Sequence, residues 1–215
     1  MDCYNAIWFD LDGTLWDFNR NSEEVLKELY QLHLASYSFT DTHFVKTYRE
    51  VNLEMWKGLR ERSLTKEDVR RLRFQLTLKR LGIVDDNLAQ EFNVHYMLET
   101  PNRGHLIDGV EEVLKWLKSL NKRLVICSNG FKESQIKKLK STIIGDYIDA
   151  LYCADELGVH KPHEDFFRTV LRLEEVKECE VVYVGDDVRV DGACVNVGID
   201  FIHYQSGNIF HQMKG

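Results

Sequence analysis

Apolar residues recur at helical spacing through the first half of the chain. After a short apolar run at residues 6–9, residues 17–100 show three such stripes and almost no strand pattern. The stripes consist of Val25, Leu26, Leu29 and Leu32; of Phe44, Val45, Tyr48, Val51, Met55, Trp56 and Leu59; and of Val69, Leu72, Leu76 and Leu81. The sequence at 65–68 predicts a capping box that opens the third helix, and Pro101 helps to end the helical pattern.

Strand and helix patterns alternate in the second half. Buried-looking strands are predicted at residues 6–9, 123–127, 151–153, 181–184 and 201–204, with amphipathic helices between the later ones. This alternation predicts an α/β fold with a parallel sheet, whose functional site lies at the carboxyl ends of the strands. We expect residues 1–16 and 101–215 to form this core. Residues 17–100 are then an inserted all-helical domain, which we expect to cap that edge.

Two carboxylates follow the first predicted strand, in the sequence Asp-Leu-Asp-Gly-Thr at residues 10–14. Side chains two apart in an extended segment point the same way, and Gly13 permits a turn there. Asp10 and Asp12 can therefore converge on one reacting centre, Asp10 as the attacking group and Asp12 as proton donor and acceptor. A plain turn and a calcium loop are the alternatives, but an EF-hand would place an acid near position 21, where Asn21 stands.

Further polar groups follow the later strands. Ser128, Asn129 and Gly130 offer a hydroxyl and turn amides suited to phosphate oxygens, although any strand-to-helix turn uses such residues. Lys161 precedes Pro162 and a predicted helix, where a solvated charge is the common alternative. Three acids follow the strand at 181–184, and they are costly to bury unless a cation or lysine balances them. These acids are Asp186, Asp187 and Asp191.

The order and spacing of these four groups resemble the haloacid dehalogenase (HAD) superfamily of phosphohydrolases, in its subclass with a helical cap after the first strand. Residues 10–14 resemble its motif I, Ser128 motif II, Lys161 with Pro162 motif III, and Asp186 with Asp191 motif IV. The resemblance covers nearly the whole chain. It implies a Rossmann-like sheet with the strand order 5-4-1-2-3, in which motifs I, II and IV lie on neighbouring strands.

The resemblance also implies roles. Asp10 would form an aspartyl-phosphate, and Asp12 would protonate the leaving oxygen and then activate water. Mg²⁺ would be held by the Asp10 carboxylate, the Asp12 backbone carbonyl and Asp186. The phosphoryl group would be bound by Ser128, Asn129, Gly130 and Lys161, and Asp191 would steady Lys161.

Asp187 departs from the commoner pattern, because many relatives carry Ser or Thr at this position. The extra carboxylate could tighten the metal site, or it could cap the following helix through the backbone amides. We favour the helix cap.

Several reactions occur on this fold. Displacing a halide needs no proton donor, and true dehalogenases lack an acid at the position of Asp12, so we expect phosphomonoester hydrolysis. Sugar-phosphate phosphatases and phosphomutases remain alternatives, as does a regulatory module that binds without turnover. The predicted cap and the segment after it resemble bacterial pyrimidine 5′-nucleotidases at Tyr48, Trp56, residues 64–68, Arg73, Phe74 and residues 105–109. Stacking of Trp56, Arg73 and Phe74 on a nucleobase is therefore a hypothesis, with burial in the cap core as its alternative.

The amino-acid composition limits the classes of partner that we expect the protein to bind. With 28 Lys and Arg against 35 Asp and Glu, the net charge of −7 disfavours nucleic-acid polymers and anionic membranes as partners. The resemblance implies a small phosphorylated metabolite instead. There is neither a membrane-length apolar run nor a secretory signal pattern, so we expect a cytoplasmic protein. Five irregularly spaced cysteines indicate no disulfide framework, and the eight histidines include no zinc motif. The oligomeric state stays open.

Overall fold

A computed structural model describes residue 1 and residues 3–214 of the 215-residue chain. Within these residues, five parallel strands form a sheet with the spatial order β3-β2-β1-β4-β5. The strands are β1 Ala6–Phe9, β2 Arg123–Ser128, β3 Ala150–Cys153, β4 Val181–Gly185 and β5 Asp200–His203. The α/β class and the predicted strand order are confirmed.

The chain divides into two compact units. One contains Met1–Phe18 and Arg103–Gly215 and includes the sheet, and the other is Asn19–Asn102. The helices are α1 Phe18–Leu29, α2 Asp41–Arg60, α3 Lys66–Arg80, α4 Asp86–Glu99, α5 Val110–Ser119, α6 Lys132–Lys140, α7 Ala154–Leu157, α8 Glu164–Glu174 and α9 Ile209–Lys214. That the helical unit acts as a cap stays a prediction.

Two apolar layers enclose the sheet of the first unit. Alternate residues of a strand point to opposite faces, so Ile7 and Phe9 pack with α5 and α9, whereas Trp8 packs with α8. Both faces are therefore covered, as the apolar strands require. The loops at the carboxyl ends of the strands remain as the place where polar side chains can gather.

The second unit is built from α1 to α4 around its own aromatic core. Phe44, Tyr48, Phe74, Phe92 and Tyr96 are buried together there. The rings of Phe74 and Phe92 meet edge to face at 5.8 Å between centroids, a geometry that aromatic pairs favour. Thr65 caps α3, and its reciprocal bonds with Asp68 confirm the predicted capping box.

Two predicted helix faces are corrected by the structure. The first helix continues as a π-helix at Tyr30–Leu34, whose wider turn shifts the phase, so Leu34 is buried and Leu32 is 67% exposed. The buried face of α3 includes Arg73 and Thr77, while Leu76 is only half-buried. Apolar periodicity missed this face because two of its members are polar.

The helix α4 was not predicted at all. It buries only Ala89, Phe92 and Tyr96, which is a thin apolar stripe for fourteen residues. The side chain of Asp85 caps it by accepting a hydrogen bond from the backbone of Leu88.

No helix in the part of the chain that the structure describes is both long and apolar enough to cross a membrane. The five cysteines, all of which lie in that part, are free thiols. Cys127, Cys153 and Cys194 are buried, whereas Cys3 and Cys179 are exposed.

Candidate functional site

Asp10, Ser128 and Asp186 lie at the carboxyl ends of three neighbouring strands. Asp10 follows Phe9, the last residue of β1, which pairs in parallel register with both β2 and β4. Ser128 ends β2, and Asp186 comes directly after β4. The fold thus brings together polar groups from three segments that are far apart in the chain.

Lys161 joins these strand ends from the loop before α8. Its side chain is 1% exposed, and its Nζ lies 2.9 Å from Oδ1 of Asp10 and 2.7 Å from Oδ1 of Asp191. The same Nζ lies 2.8 Å from the carbonyl oxygen of Cys127 and 2.7 Å from the hydroxyl of Tyr183. Four oxygen atoms therefore surround one buried ammonium group.

The charges in this cluster influence one another strongly. Burial raises the pKa of the Asp10 carboxyl well above its ordinary value, and the positive charge of Lys161 opposes that rise. Burial lowers the pKa of the Lys161 ammonium, but the negative charges of Asp10 and Asp191 outweigh burial and raise it. Burial also raises the pKa of Tyr183, followed by the nearby charge of Asp191, so its hydroxyl stays neutral. Lys161 is accordingly a permanent cation beside Asp10.

Asp186 is more exposed to solvent than Asp10 and Asp191 are, but its carboxyl group lies against the backbone of Gly13. A Cβ on Gly13 would lie 2.6 Å from Oδ2 of Asp186, and the φ of Gly13 is +91°, so this close approach favours glycine twice over. Thr14 donates to Oδ1 of Asp186 at 3.2 Å. Desolvation of the carboxyl, reinforced by the charge of Asp191, raises the pKa of Asp186 to about 6.

Asp10, Asp186 and Asp191 could hold a metal ion. Each offers one carboxylate oxygen, and these three atoms lie within 4.8 Å of one another. The donors are all hard oxygen ligands, which Mg²⁺ and Ca²⁺ prefer. Lys161 supplies only one positive charge to three carboxyls, and the pKa of Asp186 is raised first by desolvation and then by the negative charge of Asp191. The residues present therefore fit a divalent cation.

The side chain of Asp12 stands outside this acidic group and has its own partners. Oδ1 of Asp12 lies 2.5 Å from Nζ of Lys138, and Oδ2 accepts a hydrogen bond from Nε2 of Gln135 at 2.7 Å. Lys138 is buried, and its ammonium also lies 4.3 Å from the ring centroid of Trp16. Both oxygens of Asp12 are thus held by donors from α6.

The turn after β2 is tied to both neighbouring groups. Oγ of Ser128 accepts hydrogen bonds from the backbone of Gly130 at 3.0 Å and from Nε2 of Gln135 at 2.7 Å. The side chain of Asn129 exchanges two hydrogen bonds with the backbone of Lys161, each at 2.9 Å. The Asn129 side chain thus fixes the Lys161 loop, and phosphate binding by its backbone amide stays a prediction.

Asp187 and Asp191 both order the turn after β4. Oδ1 of Asp187 accepts from the backbone of Arg189 at 2.9 Å and of Val190 at 3.3 Å. Oδ2 of Asp191 accepts from the backbone of Asp187 at 3.2 Å. Asp187 therefore orders the turn at residues 188–191, whereas the helix that follows, a 3₁₀-helix at Gly192–Val197, has Asp191 at its N-cap position, so the helix cap expected at Asp187 is corrected to a turn cap.

Four residues of this site escaped the sequence analysis: Thr14, Gln135, Lys138 and Tyr183. Tyr183 is hidden inside an apolar strand. In α6 the pattern is inverted, because Gln135 and Lys138 are buried while Ile136 and Leu139 are only half-buried. Polar residues on a helix usually face solvent, so no signal in the sequence could have found Gln135 and Lys138.

The helical unit changes the nucleobase hypothesis. Phe74 is fully buried, with its ring 4.9 Å from that of Tyr48 and 5.5 Å from that of Tyr96. The guanidinium of Arg73 is buried as well and lies 4.8 Å from the ring centroid of Tyr96. Stacking of Phe74 on a substrate is therefore wrong for this structure, because its faces are used within the unit. Trp56 is half-buried.

The sequence is similar to known proteins, and these similarities agree with the arrangement of the site. The chain matches the family model of the haloacid dehalogenase-like hydrolases over residues 4–193. It is 29% identical over 191 residues to the pyrimidine 5′-nucleotidase YjjG of Escherichia coli, covering 87% of this chain and 80% of that protein. It is 25% identical over 206 residues to the pyrimidine 5′-nucleotidase PynA of Streptococcus pneumoniae, covering 94% of this chain and 84% of the relative.

Solved structures share the fold. The crystal structure of the HAD-hydrolase YfnB of Bacillus subtilis, bound to magnesium, has a TM-score of 0.82 at 23% identity and covers 92% of this chain and 87% of its own. The L-2-haloacid dehalogenase of Xanthobacter autotrophicus, with chloropropionic acid covalently bound, has a TM-score of 0.72 at 22% identity, covering 93% and 77%. Together with the family match over most of the chain, these findings identify the protein as a member of the haloacid dehalogenase-like hydrolase family.

Proposed function

We propose that the protein is a Mg²⁺-dependent phosphomonoester hydrolase that works through an aspartyl-phosphate on Asp10. The observation that carries the proposal is the buried Lys161 ammonium, 2.9 Å from the Asp10 carboxylate at the edge of the sheet where Ser128 and Asp186 also lie. A fixed cation there offsets the charge of both a carboxylate nucleophile and a phosphoryl group. The arrangement thus provides positioning and charge neutralisation, which phosphoryl transfer requires.

In the first step, a carboxylate oxygen of Asp10 forms a bond to phosphorus and the bond from phosphorus to the leaving oxygen breaks. Asp12 gives its proton to that oxygen, so the alcohol departs neutral. In the second step, Asp12 takes a proton from water as the water oxygen attacks phosphorus. The acyl-phosphate bond then breaks, which releases phosphate and restores Asp10. Ser128 and Lys161 hold the phosphoryl oxygens throughout.

The metal would be held by the carboxylates of Asp10 and Asp186 and by the backbone carbonyl of Asp12. When bound, it would neutralise phosphoryl charge and orient the phosphate toward Asp10. Asp191 already bonds Lys161, which suits it to a supporting position beside the ion. The magnesium bound by the related YfnB structure supports this choice of ion.

Asp12 also argues against halide displacement, although haloacid dehalogenases share the fold. A halide leaves as a stable anion and needs no proton, whereas an alkoxide does. A carboxyl held in place at position 12 by two donors has a use in phosphate ester cleavage. Phosphomutases share that need, so a sugar phosphomutase or sugar-phosphate phosphatase is the second candidate.

For the substrate, we propose nucleoside 5′-monophosphates, pyrimidines ahead of purines. The support is the similarity to two pyrimidine 5′-nucleotidases over most of the chain. Because Phe74 is buried, base contacts would come from other side chains of the helical unit, with Trp56 the remaining aromatic candidate.

Replacing Asp10 by Asn should abolish turnover and leave the fold intact, because the amide keeps the shape and loses the attacking charge. We expect the rate to fall by more than about a thousand-fold, equivalent to about 4 kcal/mol of barrier, in a phosphate-release assay. Circular dichroism and the melting temperature provide the control for folding. A variant with more residual activity than this would exclude Asp10 as the nucleophile.

Chelation should remove the activity, and added Mg²⁺ should restore it. Ca²⁺ should inhibit, because its larger and less regular coordination shell would misplace the Asp10 oxygen relative to phosphorus. Phosphate release measured in EDTA, and then with each ion titrated back, tests both statements. Undiminished activity in the chelator would contradict the metal assignment.

The neighbouring acids Asp186 and Asp187 should behave differently. Asp186→Ala removes a proposed ligand and should steeply raise the Mg²⁺ concentration needed for half-maximal activity. Asp187→Ser keeps a hydrogen-bond acceptor for the turn and should leave that concentration nearly unchanged, with a stability change of less than about 1 kcal/mol. Equal shifts in the two Mg²⁺ titrations would show that Asp187 belongs to the metal site.

In a phosphate-release screen, we expect UMP and dUMP to be hydrolysed faster than purine nucleotides, and small sugar phosphates to be hydrolysed more slowly. The comparison is kcat/KM against a generic aryl phosphate, which reports the core chemistry without recognition of the leaving group. If one sugar phosphate exceeded the nucleotides clearly, the nucleotidase proposal would fail while the phosphatase mechanism stood. A mutase would instead move phosphate between positions of one sugar and release little to water.

A further inference from the structure

Two buried polar side chains on α6 face the functional site and have no role in the mechanism above. Gln135 is fully buried and Lys138 is 5% exposed, while Lys137 and Lys140 of the same helix are exposed. Burying an amide and an ammonium costs free energy unless their bonds compensate for the lost water. Their bonds all lead to the carboxyl of Asp12 or to its surroundings.

Gln135 links Asp12 to Ser128 through one nitrogen. Its Nε2 lies 2.7 Å from Oδ2 of Asp12 and 2.7 Å from Oγ of Ser128, which uses both hydrogens of the amide. In its ionised form, which takes the proton from water in the second step, the Asp12 carboxylate only accepts, and the Gln135 nitrogen faces it. A Cβ on Gly130 would lie 2.0 Å from this nitrogen, so Gly130 leaves the space for the link.

This arrangement has a free-energy cost at the oxygen of the Gln135 amide. Oε1 of Gln135 is buried without a hydrogen-bond partner among the described residues. An unsatisfied buried acceptor destabilises a fold, so packing alone would favour an apolar side chain at this position. The two hydrogen bonds of Nε2 are what a glutamine provides at this position and an apolar side chain would not.

The link also sets the direction of the Ser128 hydroxyl. Its oxygen accepts from the backbone of Gly130 and from Gln135, which occupies its acceptor sites. The hydroxyl proton is therefore left to donate. A donor at this point suits a phosphoryl oxygen, whereas a hydroxyl free to rotate would offer its proton in several directions.

Lys138 holds the second oxygen of Asp12. Its Nζ lies 2.5 Å from Oδ1, and the face of the Trp16 ring 4.3 Å from the same Nζ limits where the ammonium can move. With each oxygen of Asp12 bonded to a different side chain, rotation of the carboxyl about its Cβ–Cγ bond would break both bonds.

We propose that Gln135 and Lys138 are positioning residues that fix the Asp12 carboxyl for proton transfer to the leaving oxygen, with Gln135 also orienting the Ser128 hydroxyl toward the phosphoryl group. The inference rests on the proposed phosphatase function and deepens it. Neither residue is assigned a contact with the substrate: Gln135 acts through Asp12 and Ser128, and Lys138 acts through Asp12.

The test compares two phosphate esters of similar size whose leaving groups differ in their need for a proton. p-Nitrophenyl phosphate releases a stable anion, whereas benzyl phosphate releases an alcohol whose oxygen must be protonated. Single-turnover release of the leaving group isolates the first step. Lys138→Met should slow this step for benzyl phosphate by about thirty-fold or more, and for p-nitrophenyl phosphate by less than about three-fold.

Gln135→Met should show the same leaving-group dependence, and it removes only the two bonds of Nε2. It should also weaken competitive inhibition by inorganic phosphate about five-fold, because Ser128 loses its fixed direction, whereas Lys138→Met should leave that inhibition unchanged. Lys138→Arg, which keeps a cation and donors, should recover part of the benzyl phosphate rate. Lys137→Met removes an exposed charge from the same helix and is the matched control, expected to match wild type on both esters.

These measurements distinguish failure of the proposed phosphatase function from failure of the positioning role. If the wild-type protein cleaves neither ester, the proposed function fails and the inference fails with it. If wild type cleaves both and each variant loses the same factor on the two esters, the phosphatase stands and the positioning role is refuted. Melting temperatures close to wild type for Gln135→Met exclude loss of fold as the cause. If Lys138→Met alone unfolds, the Gln135→Met pair of rates decides.

Discussion

The burial of one ammonium group, that of Lys161, is the interaction on which the site depends. A charge at 1% exposure is tolerable only with close counter-charges and a full set of acceptors, which Asp10, Asp191 and their neighbours supply. These partners come from the ends of β1, β2 and β4. The requirement therefore fixes three strand ends at once, and Asn129 anchors the Lys161 backbone from the side.

The same constraint explains why the site fits a divalent cation. Lys161 and Lys138 supply two positive charges, while Asp10, Asp12, Asp186 and Asp191 supply four carboxyls in the same loops. The excess is concentrated at Asp186, whose pKa rises to about 6 through desolvation and the charge of Asp191. A divalent cation at this point would reduce the repulsion among these carboxylates.

The core of the fold was predictable because its sequence patterns are local and mutually consistent. Short apolar runs marked the strands, and the residues just after them marked the site, since parallel strands deliver their carboxyl ends to one edge. Helix α4 was missed because it buries only three side chains over fourteen residues. The buried face of α3 was missed because it includes the polar residues Arg73 and Thr77, which apolar periodicity does not register. Thr77, for instance, satisfies its hydroxyl on the carbonyl of Arg73.

Gln135 and Lys138 were missed for the opposite reason. They look like a solvated helix face in a lysine-rich segment, and only the structure reveals that this face is buried against Asp12. No local pattern distinguishes Lys138 from its exposed neighbour Lys137. What separates them is a partner more than a hundred residues away.

The two lysines give the two acids of motif I different environments. Asp10 lies among strand ends against Lys161 and beside a candidate metal position, which suits a group that must attack phosphorus as a carboxylate. Asp12 lies against Gln135 and Lys138 on α6, where its two oxygens are oriented separately. Pairs of acids acquire distinct roles through such differences in surroundings.

The different surroundings of Asp10 and Asp12 are built only from residues of the sheet-containing unit. None of these residues is proposed to bind the alcohol portion of a substrate. If the proposed mechanism holds, such a core would serve any phosphomonoester, and the choice of alcohol would fall to residues outside the proposed catalytic set. The buried Phe74 shows that those residues cannot be read from sequence resemblance alone.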